Sequence, residues 1–112
     1  MDTRQTHMLA SGATADGTYG PVTLEGGQYQ MMLEGTSIGG GTLVLKGRRA
    51  GSSRSFVPFT DGSFNASNFP NIDFVIEVGA GTEVEAVLTG ASSPNFDLSL
   101  VPVPSEGEWK WR

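Results

Sequence analysis

The stretch Ile72-Asp73-Phe74-Val75-Ile76-Glu77-Val78 decides the fold class. Ile72, Phe74, Ile76 and Val78 fall on one face of an extended chain, and Asp73 and Glu77 fall on the other. A period of two is the mark of a strand with one buried face and one wet face. Downstream, Val84, Ala86 and Leu88 repeat the pattern, and so do Phe96, Leu98 and Leu100. Upstream, Tyr29, Met31 and Leu33 share a face, as do Leu43 and Leu45. No helical period of 3.6 persists in the chain, and no segment repeats at a fixed spacing. The expectation is an all-β fold, an antiparallel β-sandwich or jelly roll of about seven to nine short strands, because turn signals recur at the spacing of such folds. Periodicity leaves a jelly roll and an immunoglobulin-like sandwich both open, since strand order is not written in it.

The breaks between these runs are glycine, proline, serine and asparagine, which favour turns for different steric reasons. Gly26-Gly27 and Gly79-Ala80-Gly81-Thr82 each read as a hairpin connection. Gly39-Gly40-Gly41 reads as a turn or bulge, and Asp61-Gly62 as a turn. Pro21 suits the first position of a strand, and Pro58 demotes Ser55–Thr60 to an edge or bulged strand, because proline cannot donate to the ladder. Within that strand either Phe56, or Val57 and Phe59, face inward. Pro102 and Pro104 end the last strand, which starts at Phe96. Residues 1–20 read as an N-terminal arm and turn-rich lead-in, with one possible edge strand using Met8 and Ala10. Residues 21–104 form the β-sandwich domain, and residues 105–112 a C-terminal arm. The expected core is Tyr29, Met31, Leu33, Leu43, Leu45, Phe56, Ile72, Phe74, Ile76, Val78, Val84, Ala86, Leu88, Phe96, Leu98 and Leu100.

The chain has 112 residues, one domain's worth, and no cysteine, so neither a disulfide framework nor a thiolate metal site can form. The N-terminal residues lack the apolar core of a signal peptide, and no run reaches the length of a membrane-spanning helix. Synthesis in a cytoplasm without membrane attachment is the expectation. The net charge is −5, which disfavours nucleic acid as the main partner. Its layout is uneven. Lys46, Arg48, Arg49 and Arg54 fall within nine residues, whereas Asp61 to Glu108 holds eight carboxylates and no basic residue. This is either an ordinary solvated surface with one basic loop, or a self-complementary surface in which the loop of one subunit meets an acidic face of the next.

Residues that could carry chemistry are few. His7 is the single histidine, and no acid or nucleophile pattern accompanies it. Asp73 with Glu77, and Glu83 with Glu85, share outward strand faces, where acids are normally solvated rather than paired for glycoside hydrolysis. No Asp-x-Asp-x-Asp-Gly loop offers a calcium site. Gly39-Gly40-Gly41 lacks the lysine and the following helix of a phosphate loop. Asn65-Ala66-Ser67 matches a glycosylation sequon without a secretion signal to use it. No enzyme activity, cofactor or metal is expected. The tail Ser105–Arg112 holds both tryptophans, Trp109 and Trp111, on one face if extended. They either cap this domain's own core or form an arm that adds to a neighbour's sheet edge. The candidate protein-interface residues are therefore Trp109, Trp111, Lys46, Arg48, Arg49 and Arg54.

Laid out in order, the chain resembles a group of small all-β bacteriophage virion structural proteins. The matching steps are Gly26-Gly27-Gln28-Tyr29, Gly41-Thr42-Leu43-Val44-Leu45, Phe56-Val57-Pro58-Phe59, Phe64-Asn65-Ala66 and Leu100-Val101-Pro102-Val103-Pro104. The resemblance covers roughly residues 20–104 and is one of pattern and order. The Trp109-Lys110-Trp111 tail lies outside it. What it implies is a non-enzymatic virion protein: a capsid decoration or cement protein on the phage head, or a head or tail accessory protein. The implied partners are its own copies, as a homotrimer or dimer, and the major capsid protein or another virion protein. The implied location is the capsid surface. A carbohydrate- or receptor-binding module on the same fold is the alternative.

Overall fold

A computed structural model describes residues 4–104. Eight strands follow one another: β1 (His7–Ala13), β2 (Gly17–Thr23), β3 (Gly27–Ser37), β4 (Thr42–Arg48), β5 (Val57–Phe64), β6 (Val75–Val78), β7 (Glu83–Thr89) and β8 (Asn95–Val103). A single 3-10 turn, Ala66–Asn68, interrupts the β5–β6 connection and is capped by the Asn65 side chain. All strand pairings are antiparallel, in two four-stranded sheets. Sheet A has the order β1-β8-β3-β6 and sheet B the order β2-β7-β4-β5. The pairings are nested: β1 with β8, β2 with β7, β3 with β6, β4 with β5. A long folded ribbon wrapped around a core gives this order, and with eight strands in two sheets it is a jelly roll.

The period of two explains the core. Tyr29, Met31 and Leu33 from β3 interleave with Leu43 and Leu45 from β4, Val84, Ala86 and Leu88 from β7, and Phe96, Leu98 and Leu100 from β8, all buried. These are central strands of their sheets, so their inward faces lose nearly all contact with water. Ile76 and Val78 complete the layer from β6. Leu9, Ala10, Ala13, Leu24, Ile38 and Phe64 are also buried. None of these six falls in the alternating runs from which the expected core was drawn.

Several expectations need correction. The lead-in assigned to residues 1–20 contributes β1 to sheet A and most of β2 to sheet B. In β1 it is Leu9 and Ala10 that are buried, while Met8 is 54% exposed, because irregularities between Met8 and Ala13 break strict alternation. Ile72 is 43% exposed rather than core, since β6 begins only at Val75 and the preceding chain touches β3 through a single Leu33–Asn71 bridge. Phe74 is partly buried against the core. Phe56 lies outside β5 and half-buried, Val57 is exposed, and Phe59 alone of the three packs against the core.

Two expected hairpins are not hairpins. Gly26-Gly27 and Gly79–Thr82 each carry the chain from one sheet to the other. The two connections hold each other: the Leu24 N–H donates to the Thr82 carbonyl at 2.9 Å and the Gly81 N–H to the Leu24 carbonyl at 2.8 Å. Asp61-Gly62 is a bulge within β5, not a turn, with Asp61 at φ 60°. Val44 faces Ser63 while Lys46 faces Pro58, so β5 carries extra residues there. Pro58 thus sits in a bulged edge strand, as its missing donor requires. Pro102 does not end β8, which runs on to Val103. It pairs with Tyr29 of β3, beyond the last β1–β8 pairing at His7 and Leu100, so no ladder bond is lost on the β1 side.

Candidate interaction surfaces

The strand directions place the connections at two opposite ends. The β2–β3, β4–β5 and β6–β7 connections, with Arg4 and Val103, lie at one, here the terminal end. The β1–β2, β3–β4, β5–β6 and β7–β8 connections lie at the other, the distal end. All five described basic residues, Arg4, Lys46, Arg48, Arg49 and Arg54, fall in the terminal half. Asp16, Glu34, Asp73 and Asp97 fall in the distal half, which contains no lysine or arginine among the described residues.

The basic β4–β5 loop starts where β4 meets β7. Lys46 faces Glu85 and Arg48 faces Glu83 in register, on the outer face of sheet B. Opposite charges placed directly across a ladder stabilise the pairing. Arg48 goes further. Its Nε donates to Glu83 Oε1 at 2.6 Å, and a terminal nitrogen donates to the Arg54 carbonyl at 2.9 Å. Its guanidinium lies 4.3 Å from the centroid of the Phe56 ring. Arg48 therefore clamps the loop onto its own sheet. Arg49 and Arg54 differ: among the described residues no carboxylate pairs with either side chain. Of the four basic candidates, the structure assigns Arg48 to this chain's own loop, sets Lys46 opposite an acid, and leaves two guanidinium groups outward. Trp109 and Trp111 lie outside the described residues.

A polar cluster at the terminal end escaped the sequence reading. The Tyr29 hydroxyl reaches the Glu25 carbonyl at 2.8 Å and Glu25 Oε1 at 3.0 Å. His7 Nε2 meets the same Oε1 at 3.1 Å. Arg4 lies over the Tyr29 ring and donates to the Gln28 carbonyl at 3.0 Å and the Val103 carbonyl at 2.6 Å. The hydrogen bond with His7 holds the Glu25 carboxyl below its usual range, helped by its own backbone and by Tyr29. Burial pushes the Tyr29 phenol up to about 12, and the Glu25 hydrogen bond adds to the shift. The phenol is therefore a neutral donor at ordinary pH. No serine, threonine or cysteine nucleophile joins the cluster in any described contact, and its bonds tie the N-terminal segment, the β2–β3 turn and the end of β8 together. No local pattern could have found it, because its members come from sequence positions 4 to 103.

The two outer sheet faces differ. On sheet A, Met8, Ser99 and Met32 lie in one cross-strand row, and Val101, Gln30 and Val75 in the next. Val103, Gln28 and the exposed Glu77 form the row after that. Met8 and Val75 are 54% and 47% exposed, with Met32, Val101 and Val103 half-buried. An antiparallel sheet usually turns polar residues to water. Contiguous exposed apolar side chains mark contact surfaces.

At the distal end, Glu34, Gly35, Pro70, Ile72 and Asp73 line an open groove of about 360 Å³. Its lining combines apolar Pro70 and Ile72 with two acidic residues. Gly35 is required there: its φ is +131°, and a Cβ would come within 2.6 Å of the Asn95 carbonyl oxygen and of Phe96 Cα. Asp97 and Asp16, the other distal acids, serve this chain. Asp97 accepts from the Gly12 N–H at 2.6 Å, and Asp16 from the Gly90 and Ala91 N–H groups at 3.0 and 2.9 Å. Among the described residues no group of three or more histidine, aspartate or glutamate side chains could hold a metal ion, and no helix is long and apolar enough to cross a membrane.

No protein-family model, curated protein or solved structure matches the chain. The functional reading therefore stands on these surfaces and on the sequence pattern.

Proposed function

We propose that this chain is a non-enzymatic virion structural protein, a decoration or cement subunit that associates with its own copies and binds across capsid subunits on a phage head. One observation carries the reading: on the outer face of sheet A, Met8 and Met32 flank Ser99 in one row and Val101 and Val75 flank Gln30 in the next, which leaves Met8 and Val75 in water. Such a face is suited to a flat, extended contact with a protein surface. The ordered steps shared with small phage virion proteins support the same reading. The jelly-roll architecture adds only analogy, since capsid and lectin domains both use it. Cement proteins bind the assembled shell in preference to its separate subunits, so mass action favours assembly.

The sugar-binding alternative needs exposed aromatic platforms. Among the described residues Tyr29 is buried, and the half-buried Tyr19 ring is packed T-shaped against Phe96, so neither tyrosine is an open platform.

The test adds the purified chain to phage heads that lack it and measures occupancy by cosedimentation and shell survival on heating. Occupied, more heat-resistant heads are expected. Glutamate at both Met8 and Val75 should abolish occupancy while the variant's own unfolding midpoint holds. A chain that neither occupies nor stabilises the heads would sink the proposal.

A further inference from the structure

We propose that the distal groove of one copy receives the basic β4–β5 loop of a second copy, so that the chain associates head to tail. The inference rests on the self-association in the reading above, and not on its capsid part.

Three observations converge on this occupant. The groove is lined by Glu34 and Asp73 together with Pro70 and Ile72, and Ile72 is 43% exposed. Neither carboxylate has a cationic partner among the described residues. Arg49 and Arg54 extend from the opposite end of the same molecule, also without acidic partners among the described residues. An arginine has the chemistry for this groove: its methylene stem covers apolar surface while its planar head takes carboxylates. The placement of all described cations in one half, and of an all-acidic surface in the other, gives each copy a charge polarity along the strands. Copies stacked end to end align those polarities favourably, whereas a two-fold contact between like ends opposes them.

The two patches differ and sit at opposite ends, so the contact is heterologous. Such contacts close into a ring if the rotation per copy allows it, and otherwise continue as a filament. A trimer would be one closed solution.

The experiment uses the full chain and two charge-reversed variants, with mass read by light scattering and sedimentation across a concentration series. The loop variant carries Arg49→Glu and Arg54→Glu; the groove variant carries Glu34→Lys and Asp73→Lys. All four side chains are exposed or half-buried with no described hydrogen bond between side chains, so circular dichroism should match the parent. The parent should form a defined oligomer at micromolar concentration that dissociates as salt is raised, since the Debye length falls to about 3 Å at 1 M. Each variant alone should associate at least about tenfold more weakly, because like charges then face each other. An equimolar mixture should recover the parent's mass, because each loop again meets a groove of opposite charge. A monomeric parent at low salt, variants with unchanged mass, or a mixture that stays dissociated would each overturn the proposal. A parent that self-associates by this rule yet leaves phage heads unoccupied would remove the capsid reading and keep this one.

Discussion

Sheets A and B are built alike on their inner faces and differently on their outer ones. Inside, both contribute alternating aliphatic and aromatic residues to one core. Outside, sheet B bonds Arg48 to Glu83 and sets Lys46 opposite Glu85, next to a half-buried Val44–Val87 pair. Sheet A instead carries Met8, Met32, Val75, Val101 and Val103 among serine, glutamine and the acids Glu34, Glu77 and Asp97, with no basic side chain between them among the described residues. An outer face that satisfies its own charges contributes to this chain's stability, and one that leaves apolar side chains in water is available to another molecule. On the proposed reading, the difference separates residues whose loss would unfold the protein from residues whose loss would weaken partner binding.

The largest effect should erase the distinction altogether. Phe96→Ala opens a cavity where both sheets meet, since Phe96 is fully buried and its ring meets Tyr19 of sheet B. Chemical denaturation should show a loss of about 3–5 kcal/mol. A loss under about 1 kcal/mol would mean that the two inner faces do not share one core.

Next comes the cluster that ties the terminal end. Tyr29 has its phenol pKa raised to about 12, so its contribution is complete below the ordinary value near 10 and disappears as pH rises through the folded value. Stability should fall by roughly 2–3 kcal/mol between pH 10 and 12, and Tyr29→Phe should flatten that portion of the curve. Glu25 works in the opposite direction. Its folded pKa is depressed, so its contribution is present above the ordinary carboxylate value and is lost as pH falls through the lowered one. Glu25→Gln should therefore reduce the acid-side slope of stability against pH.

The smaller effects divide the two outer faces. Arg48→Ala should cost about 1–2 kcal/mol, from a charge-assisted hydrogen bond, the bond to the Arg54 carbonyl and the contact over Phe56. It should leave binding through sheet A unchanged once the variant is folded. Val75→Ser should shift the unfolding midpoint least, by under about 0.5 kcal/mol, because surface changes away from special features are nearly neutral. Partner binding should nevertheless weaken. If Val75→Ser destabilised the fold more than Arg48→Ala did, the contrast between the faces would be wrong.

The same contrast governs what could be read locally. Alternation in β3, β4, β7 and β8 identifies inward residues without error, because these strands are central and bury one whole face. It misleads at Ile72 and Phe56, which lie next to short or bulged edge strands where pairing stops. It misses Leu24 and Ile38, single apolar residues in polar surroundings, and Leu9, which sits between Met8 and Ala10 in a strand whose irregularities break the alternation. Among the interface candidates, a run of basic residues is visible in sequence, but the division between clamping Arg48 and outward Arg49 and Arg54 is not. That division depends on Glu83 and Phe56 lying within reach.

The all-β class, the place of the central strands and the side each turns inward follow from the residues alone, because side-chain alternation is a property of the extended backbone. Which strands pair is fixed only when the whole chain closes on itself. Gly26-Gly27 and Gly79–Thr82 have the composition of hairpin turns, yet both cross between sheets. A turn fixes the local path of the chain, whereas the nested pairing of β1 with β8 and β2 with β7 joins segments most of the chain apart. The same long-range closure brings Arg4, His7, Glu25, Tyr29 and Val103 to one end and the groove acids Glu34 and Asp73 to the other. Charge polarity along the strands therefore emerges from topology, while each charge is written in the sequence.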